Sequence, residues 1–174
     1  MAADLIPRYG TTDTPLGPLS VVGTDSGVVA TTTAPCEALV ADLERRYGVG
    51  ARRGGRSIAL ALAEIGRYFD GVLRTFDTPV DLRAAPTTLT AAMWRAARVI
   101  PYGALCTYGD LAASAGAPGA ARAAGAAMRR CPVELFVPCH RVVRSGPALG
   151  SYGGDDRRRL ALLRLEGSAP PAHS

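Results

Sequence analysis

Pro138 places the tightest constraint on this chain. A proline has no backbone N–H and cannot sit inside a hydrogen-bonded ladder, and Pro138 follows directly on the apolar run Val133-Glu134-Leu135-Phe136-Val137. That run reads as a buried strand, so the strand is expected to stop at Pro138 and to leave Cys139 just past its end. His140 comes next, with Arg141 and Arg144 close behind. A thiol beside an imidazole and guanidiniums is in a setting that favours thiolate, a strong nucleophile. Most isolated cysteines are packing residues; the special neighbours weigh against that reading here.

With 174 residues the chain has room for one ordinary domain or two small ones, and 48% hydrophobic residues suffice for a packed core. No apolar run approaches the roughly 18 residues of a membrane span. The start, Met1-Ala2-Ala3-Asp4-Leu5-Ile6-Pro7-Arg8, lacks the pattern of a signal peptide, so a cytoplasmic location is expected. All 20 basic residues are arginine and the net charge is +5, a modest pointer to a polyanionic partner. The arginines cluster at 52, 53 and 56, at 129 and 130, and at 157 to 159. Such clusters are more often solvated faces than binding sites. Cysteines 36, 106, 131 and 139 lack zinc-knuckle spacing, so no metal is expected and all four should be free thiols.

The first half reads as a small α/β unit over 1–83. A hairpin is expected with strands 17–24 and 28–33 around Asp25-Ser26-Gly27. Helices follow over 37–47 and 58–69, the second capped by Ser57, and then a strand over 76–82. Residues 84–88 read as a linker, and 89–174 as a second, helical domain. Its first helix spans 89–99 and is broken by Ile100-Pro101-Tyr102-Gly103. Thr107 caps a short helix, with Asp110 completing a capping-box pattern. Gly116 and Pro118 separate it from a helix over 119–130. Two short helices about a Gly-containing turn are the helix-turn-helix arrangement. The small side chains of the second helix suit close approach to DNA and to a neighbouring helix equally. Arg122 tips the balance, because a lone arginine on such a face needs an anion or a stacking partner.

Taken together these blocks resemble the O6-alkylguanine-DNA alkyltransferase family. The resemblance runs from about Trp94 to Glu166. It passes through Ile100-Pro101-Tyr102-Gly103, Thr107-Tyr108-Gly109-Asp110-Leu111-Ala112 and Ala120-Ala121-Arg122-Ala123-Ala124-Gly125. Pro138-Cys139-His140-Arg141-Val142-Val143, Tyr152-Gly153-Gly154 and Leu162-Leu163-Arg164-Leu165-Glu166-Gly167 complete it, and Thr14-Pro15-Leu16-Gly17-Pro18-Leu19 matches more loosely near the start. The resemblance implies an α/β fold with a small N-terminal domain and a C-terminal helix-turn-helix domain. It implies single-turnover transfer of an alkyl group, such as methyl, from O6 of guanine in DNA to Cys139. His140 would take the thiol proton, Glu166 would hold the imidazole, and Tyr108 would donate to the departing base. Arg122 would intercalate, with Ala121, Ala123, Gly125 and Tyr108 against the DNA. Met128, Val142, Val143, Ser151, Tyr152 and Gly153 would line the pocket for the rotated base. The implied partner is double-stranded DNA containing O6-alkylguanine, met by a monomer with no cofactor, metal or membrane.

Several positions depart from the family pattern. Cys131 precedes Pro132 at the hinge where the family has Asn, and a thiol is a poor acceptor. Either the hinge loosens, backbone and water take over its bonds, Cys131 forms a reversible disulfide with Cys139, or the surroundings buffer the change and it is neutral. Leu89, Glu134 and Arg159 are milder departures. The rival functions are a lesion-binding or regulatory DNA protein of the same fold, with impaired transfer or an altered alkyl substrate because of Cys131, and an unrelated thiol hydrolase, which would turn over.

Overall fold

The computed structural model describes residues 6–146 and 156–168. It is a mixed α/β chain that divides into two compact units. One comprises Met1–Ala84 with Pro132–Phe136, the other Ala85–Cys131 with Val137–Ser174.

In the first unit β1 (Arg8–Thr12), β2 (Leu19–Thr24), β3 (Gly27–Thr32) and β4 (Arg52–Arg53) form a sheet in the order β3-β2-β1-β4. The hairpin β2–β3 stands where alternation and turn residues place it. Val21 and Val22 are fully buried, and the register shifts at Val22/Gly23. Gly27 carries φ +140, and a Cβ there would lie 2.5 Å from the Pro79 carbonyl oxygen. β1 and β4 have no counterpart in the sequence reading. Helices α1 (Glu37–Tyr47) and α2 (Arg56–Phe69) complete this unit. Gly55, not Ser57, is the N-cap of α2; the Ser57 hydroxyl donates instead to the Thr24 carbonyl at 3.3 Å.

Two expected strands are absent, for a common physical reason. Over 76–82 only one bridge forms, Val28 with Val80. The buried Glu64 carboxylate accepts from the Asp77 and Thr78 N–H groups at 2.9 and 3.1 Å, and Pro79 has no N–H to offer. Over 133–137 the chain makes a turn, with Leu135 at φ 70. Thr31 anchors it: the Thr31 N–H donates to the carbonyl of Pro132, just before the turn, at 2.7 Å, and the Thr31 hydroxyl accepts from the Glu134 N–H at 2.8 Å. The apolar run reflects burial, since Val133, Leu135 and Phe136 are all buried and Phe136 packs 4.8 Å from the Phe76 ring. A continuous apolar run specifies burial without specifying backbone.

The second unit is mainly helical: α3 (Thr88–Arg98), α4 (Tyr108–Ser114), α5 (Ala121–Arg129) and α6 (Asp156–Leu165). Thr87 caps α3 by accepting from the Thr90 N–H at 3.0 Å. Thr107 caps α4, accepting from the Asp110 N–H at 3.1 Å, while its hydroxyl donates to the Asp110 carboxylate at 2.6 Å. The small residues of α5 let α3 come close, so that the Trp94 indole N–H reaches the Ala127 carbonyl at 2.9 Å. β5 (Cys106–Thr107) and β6 (Val142–Val143) pair in parallel, Cys106 opposite Val142. Among the described residues no helix is long and apolar enough to cross a membrane.

Candidate active site

The backbone around Cys139 is tightly wound. Pro138, at φ −78 and ψ 65, sits at the centre of an inverse γ-turn, in which the Cys139 N–H donates to the Val137 carbonyl at 2.8 Å. Cys139–Arg141 then form one 3-10 turn, closed by the Arg141 N–H on the Pro138 carbonyl at 3.0 Å. Cys139 therefore opens a 3-10 turn and does not follow a strand end. It is 5% exposed, and His140 is fully buried.

The turn is held from below by buried charge. His140 Nε2 lies 2.8 Å from Glu166 Oε1. Arg141 forks onto the same carboxylate, Nε to Oε2 and Nη2 to Oε1, both at 2.9 Å. The Gly103 N–H adds a donor to Oε2 at 3.2 Å. Arg141 Nη1 donates to the Ile100 carbonyl at 2.6 Å, and the guanidinium lies 5.8 Å from the Tyr102 ring centroid. The Tyr102 hydroxyl donates to the Leu165 carbonyl at 3.0 Å, fixing the end of α6 from which Glu166 projects. Arg159, almost fully buried, donates from Nε to the His140 carbonyl at 3.3 Å and from Nη2 to the Val142 carbonyl.

An ionised carboxylate only accepts hydrogen bonds. Facing an ionised Glu166, a neutral His140 carries its proton on Nε2, which leaves the Nδ1 lone pair able to accept a proton. The Arg141 cation balances the Glu166 anion, so this buried pair carries no net charge. The arrangement supplies a thiol on a rigid turn next in chain to an oriented imidazole, which suits nucleophilic chemistry.

The other expected site residues are distributed over the second unit. Tyr108 is the first residue of α4, half-buried, and a Cβ on Gly125 would meet its ring at 3.9 Å. Among the described residues no hydrogen bond joins Tyr108 to Cys139, His140 or Glu166. On α5, Arg122 and Ala123 are exposed, Ala121 and Gly125 partly so, and Met128 is buried. Val142 and Val143 are buried in β6. The Cys131 N–H donates to the Met128 carbonyl at 3.2 Å. Cys36, Cys106, Cys131 and Cys139 are all free thiols. Ser151, Tyr152 and Gly153 lie outside the described residues. No cluster of three or more His, Cys, Asp or Glu among the described residues is placed to hold a metal. Burial, and then the Asp110 carboxylate, push the Cys106 thiol up, so it stays protonated and a poor nucleophile.

Sequence reasoning underrates Arg141, treating it as a nearby positive charge when it is the fork that neutralises Glu166. It also overlooks Tyr102, Gly103 and Ile100 as supports. Their adjacency in one turn after α3 is the available signal.

Comparison with known proteins gives the same direction. The family model described as 6-O-methylguanine DNA methyltransferase, DNA binding domain, matches residues 88–168. The methylated-DNA–protein-cysteine methyltransferase of Mycobacterium tuberculosis is 39% identical over 167 residues, spanning 95% of each chain. The crystal structure of the M. tuberculosis O6-methylguanine methyltransferase superposes with a TM-score of 0.77 at 37% identity, over 97% of each chain. M. tuberculosis OGT in complex with DNA gives 0.77 at 34% identity, over 94% of this chain and 95% of that one. Matched to such a relative over 95% of each chain, this chain belongs to the methylated-DNA–protein-cysteine methyltransferase family.

Proposed function

We propose that this protein repairs alkylated DNA by moving the alkyl group from O6 of guanine onto Cys139. DNA repair by alkyl transfer is the activity of its family, and the enzyme is a methylated-DNA–protein-cysteine S-methyltransferase. The observation that carries the assignment to Cys139 is the buried His140–Glu166–Arg141 network directly beneath its turn.

His140 Nδ1 takes the thiol proton, directly or through a water, and the thiolate attacks the alkyl carbon in line with the C–O6 bond. A carbon–sulfur bond forms and the carbon–oxygen bond breaks. The electron pair stays with guanine, where Tyr108 donates a hydrogen bond or proton to the leaving base. The thioether product is stable, so each molecule acts once.

A base inside a duplex must leave the stack to be reached. In this reading α4 and α5 act as a helix-turn-helix. Arg122 fills the vacated space, and Ala121, Ala123 and Gly125 allow the backbone to come close. Met128, Val142 and Val143, with Ser151, Tyr152 and Gly153, receive the rotated base. Residues 1–83 support a transfer domain at 89–174 through the connection at 84–88, and Cys131-Pro132 serves as the hinge. The protein works as a monomer on double-stranded DNA.

The test is the intact-protein mass after incubation with a duplex carrying one O6-methylguanine, with Cys139→Ser as control. The expected result is a gain of one methyl per molecule, absent from the control and without turnover. DNA binding with no mass gain under reducing conditions would overturn transfer and leave a lesion-binding protein.

A further inference from the structure

The first unit carries a cationic surface that the transfer site does not use. Among the described residues β4 is the outer strand of its sheet and pairs only with β1. The Arg52 N–H donates to the Pro7 carbonyl and the Gly54 N–H to the Tyr9 carbonyl, both at 2.8 Å. Backbone groups alternate along a strand, so the intervening Arg53 N–H faces outward along the open edge. Successive side chains leave opposite faces, so Arg52 and Arg53 flank that edge on both sides. The chain then turns through Gly54 and Gly55, both at positive φ, and Arg56 opens α2.

Arg52, Arg53 and Arg56 are all exposed. Among the described residues none of the three has an ion-pair partner. Two carboxylates of the same unit have other partners. Asp25 pairs with Arg8 at 3.3 Å, and the Glu44 carboxylate accepts from the Ala51 N–H at 2.7 Å. The first turn of α2 holds no acidic residue.

An outward peptide N–H with a guanidinium on either side complements anionic oxygens, and the planar arginine fork matches phosphate geometry. A protein strand adding to the same edge would find two residues to pair with and fixed positive charge on both faces, which disfavours it. We propose that Arg52, Arg53 and Arg56 form a second phosphate-binding surface, which holds the backbone of duplex DNA without regard to sequence. The proposal rests on the DNA-repair reading above, since it is duplex DNA that brings regularly spaced phosphates to this protein. The surface contributes affinity and salt dependence and takes no part in the transfer step.

The experiment titrates salt against binding of the full chain to an undamaged duplex. It compares the natural sequence with an Arg52→Gln, Arg53→Gln, Arg56→Gln triple variant and with the corresponding lysine triple. Every phosphate that a removed arginine no longer neutralises lowers the slope of log affinity against log salt by about 0.9, so the glutamine triple is expected to lose roughly 2 to 3 in slope. The lysine triple should restore most of it. The single variant Arg53→Glu, a milder change to the edge, should lose at least about 1. At low salt and saturating lesion duplex the variants should still gain one methyl per molecule. Unchanged slopes in the glutamine triple and in Arg53→Glu would overturn the proposal, and aggregation with an unchanged slope would make these arginines guards of an open strand edge. No methyl gain by the natural sequence would strike the transfer reading instead, and the slopes would still report on the surface.

Discussion

A single carboxylate, Glu166, takes up donors from His140, Arg141 and Gly103, so the orientation of the imidazole and the pairing of the buried cation are one problem. Arg141 is the residue on which that arrangement depends. Lysine would keep the charge but could not serve both Glu166 oxygens and the Ile100 carbonyl together. Arg141→Lys is therefore expected to lower unfolding stability by about 2–3 kcal/mol, the scale of buried hydrogen bonds to charged groups. It should also slow alkyl transfer on the order of 10- to 100-fold, as the imidazole is less well held. Urea unfolding and the time course of mass gain measure the two effects. A variant with wild-type stability and rate would show that the fork is dispensable.

Elements defined by local chemistry are legible in the sequence, and those defined by distant partners are not. The hairpin β2–β3, α1 and the Thr107 cap follow from alternation, helical spacing and a hydroxyl three residues before its donor. The turn over 133–137 depends on Thr31, about a hundred residues away in sequence, and the single bridge over 76–82 on Glu64. No pattern within either segment announces such an acceptor. At the candidate site the pair Cys139-His140 is visible as adjacent residues. The turn geometry is hidden, because the apolar residues before Pro138 look the same in a strand and in a buried turn. The Thr31 anchor is itself open to test. Thr31→Val keeps the branched shape and leaves the Glu134 N–H without its acceptor, at a cost of about 1–3 kcal/mol. Thr31→Ser keeps the acceptor. Hydrogen exchange at the Glu134 amide should quicken in the valine variant and stay slow in the serine variant; equal exchange in both would remove Thr31 as the anchor.

At the scale of the whole molecule, the basic charge is entirely arginine, which does not titrate in the working range. Acid therefore removes the 15 carboxylates and leaves 20 arginines unopposed, so self-repulsion grows as pH falls. Asp81 marks where this bears on the fold. Hydrogen bonds from the Arg83 side chain, Nε at 2.9 Å and Nη2 at 2.6 Å, hold its carboxyl below the ordinary 3.8 despite burial. Because the folded value is the lower one, the pair stabilises fully above the unfolded value. That stabilisation is lost as pH falls through the ordinary value and then the folded one. Asp81→Asn keeps an oxygen to accept from the Arg83 N–H, at 3.0 Å in the natural chain, and removes mainly the charge. With Arg83 largely exposed, the variant should lose only roughly 1 kcal/mol near neutral pH. The gap between the two proteins should close as pH falls from about 5 toward 2, and should narrow in high salt at neutral pH. Urea unfolding across that range reads it directly, and stability curves that stay parallel would mean that the Asp81–Arg83 pair carries no pH-dependent stability.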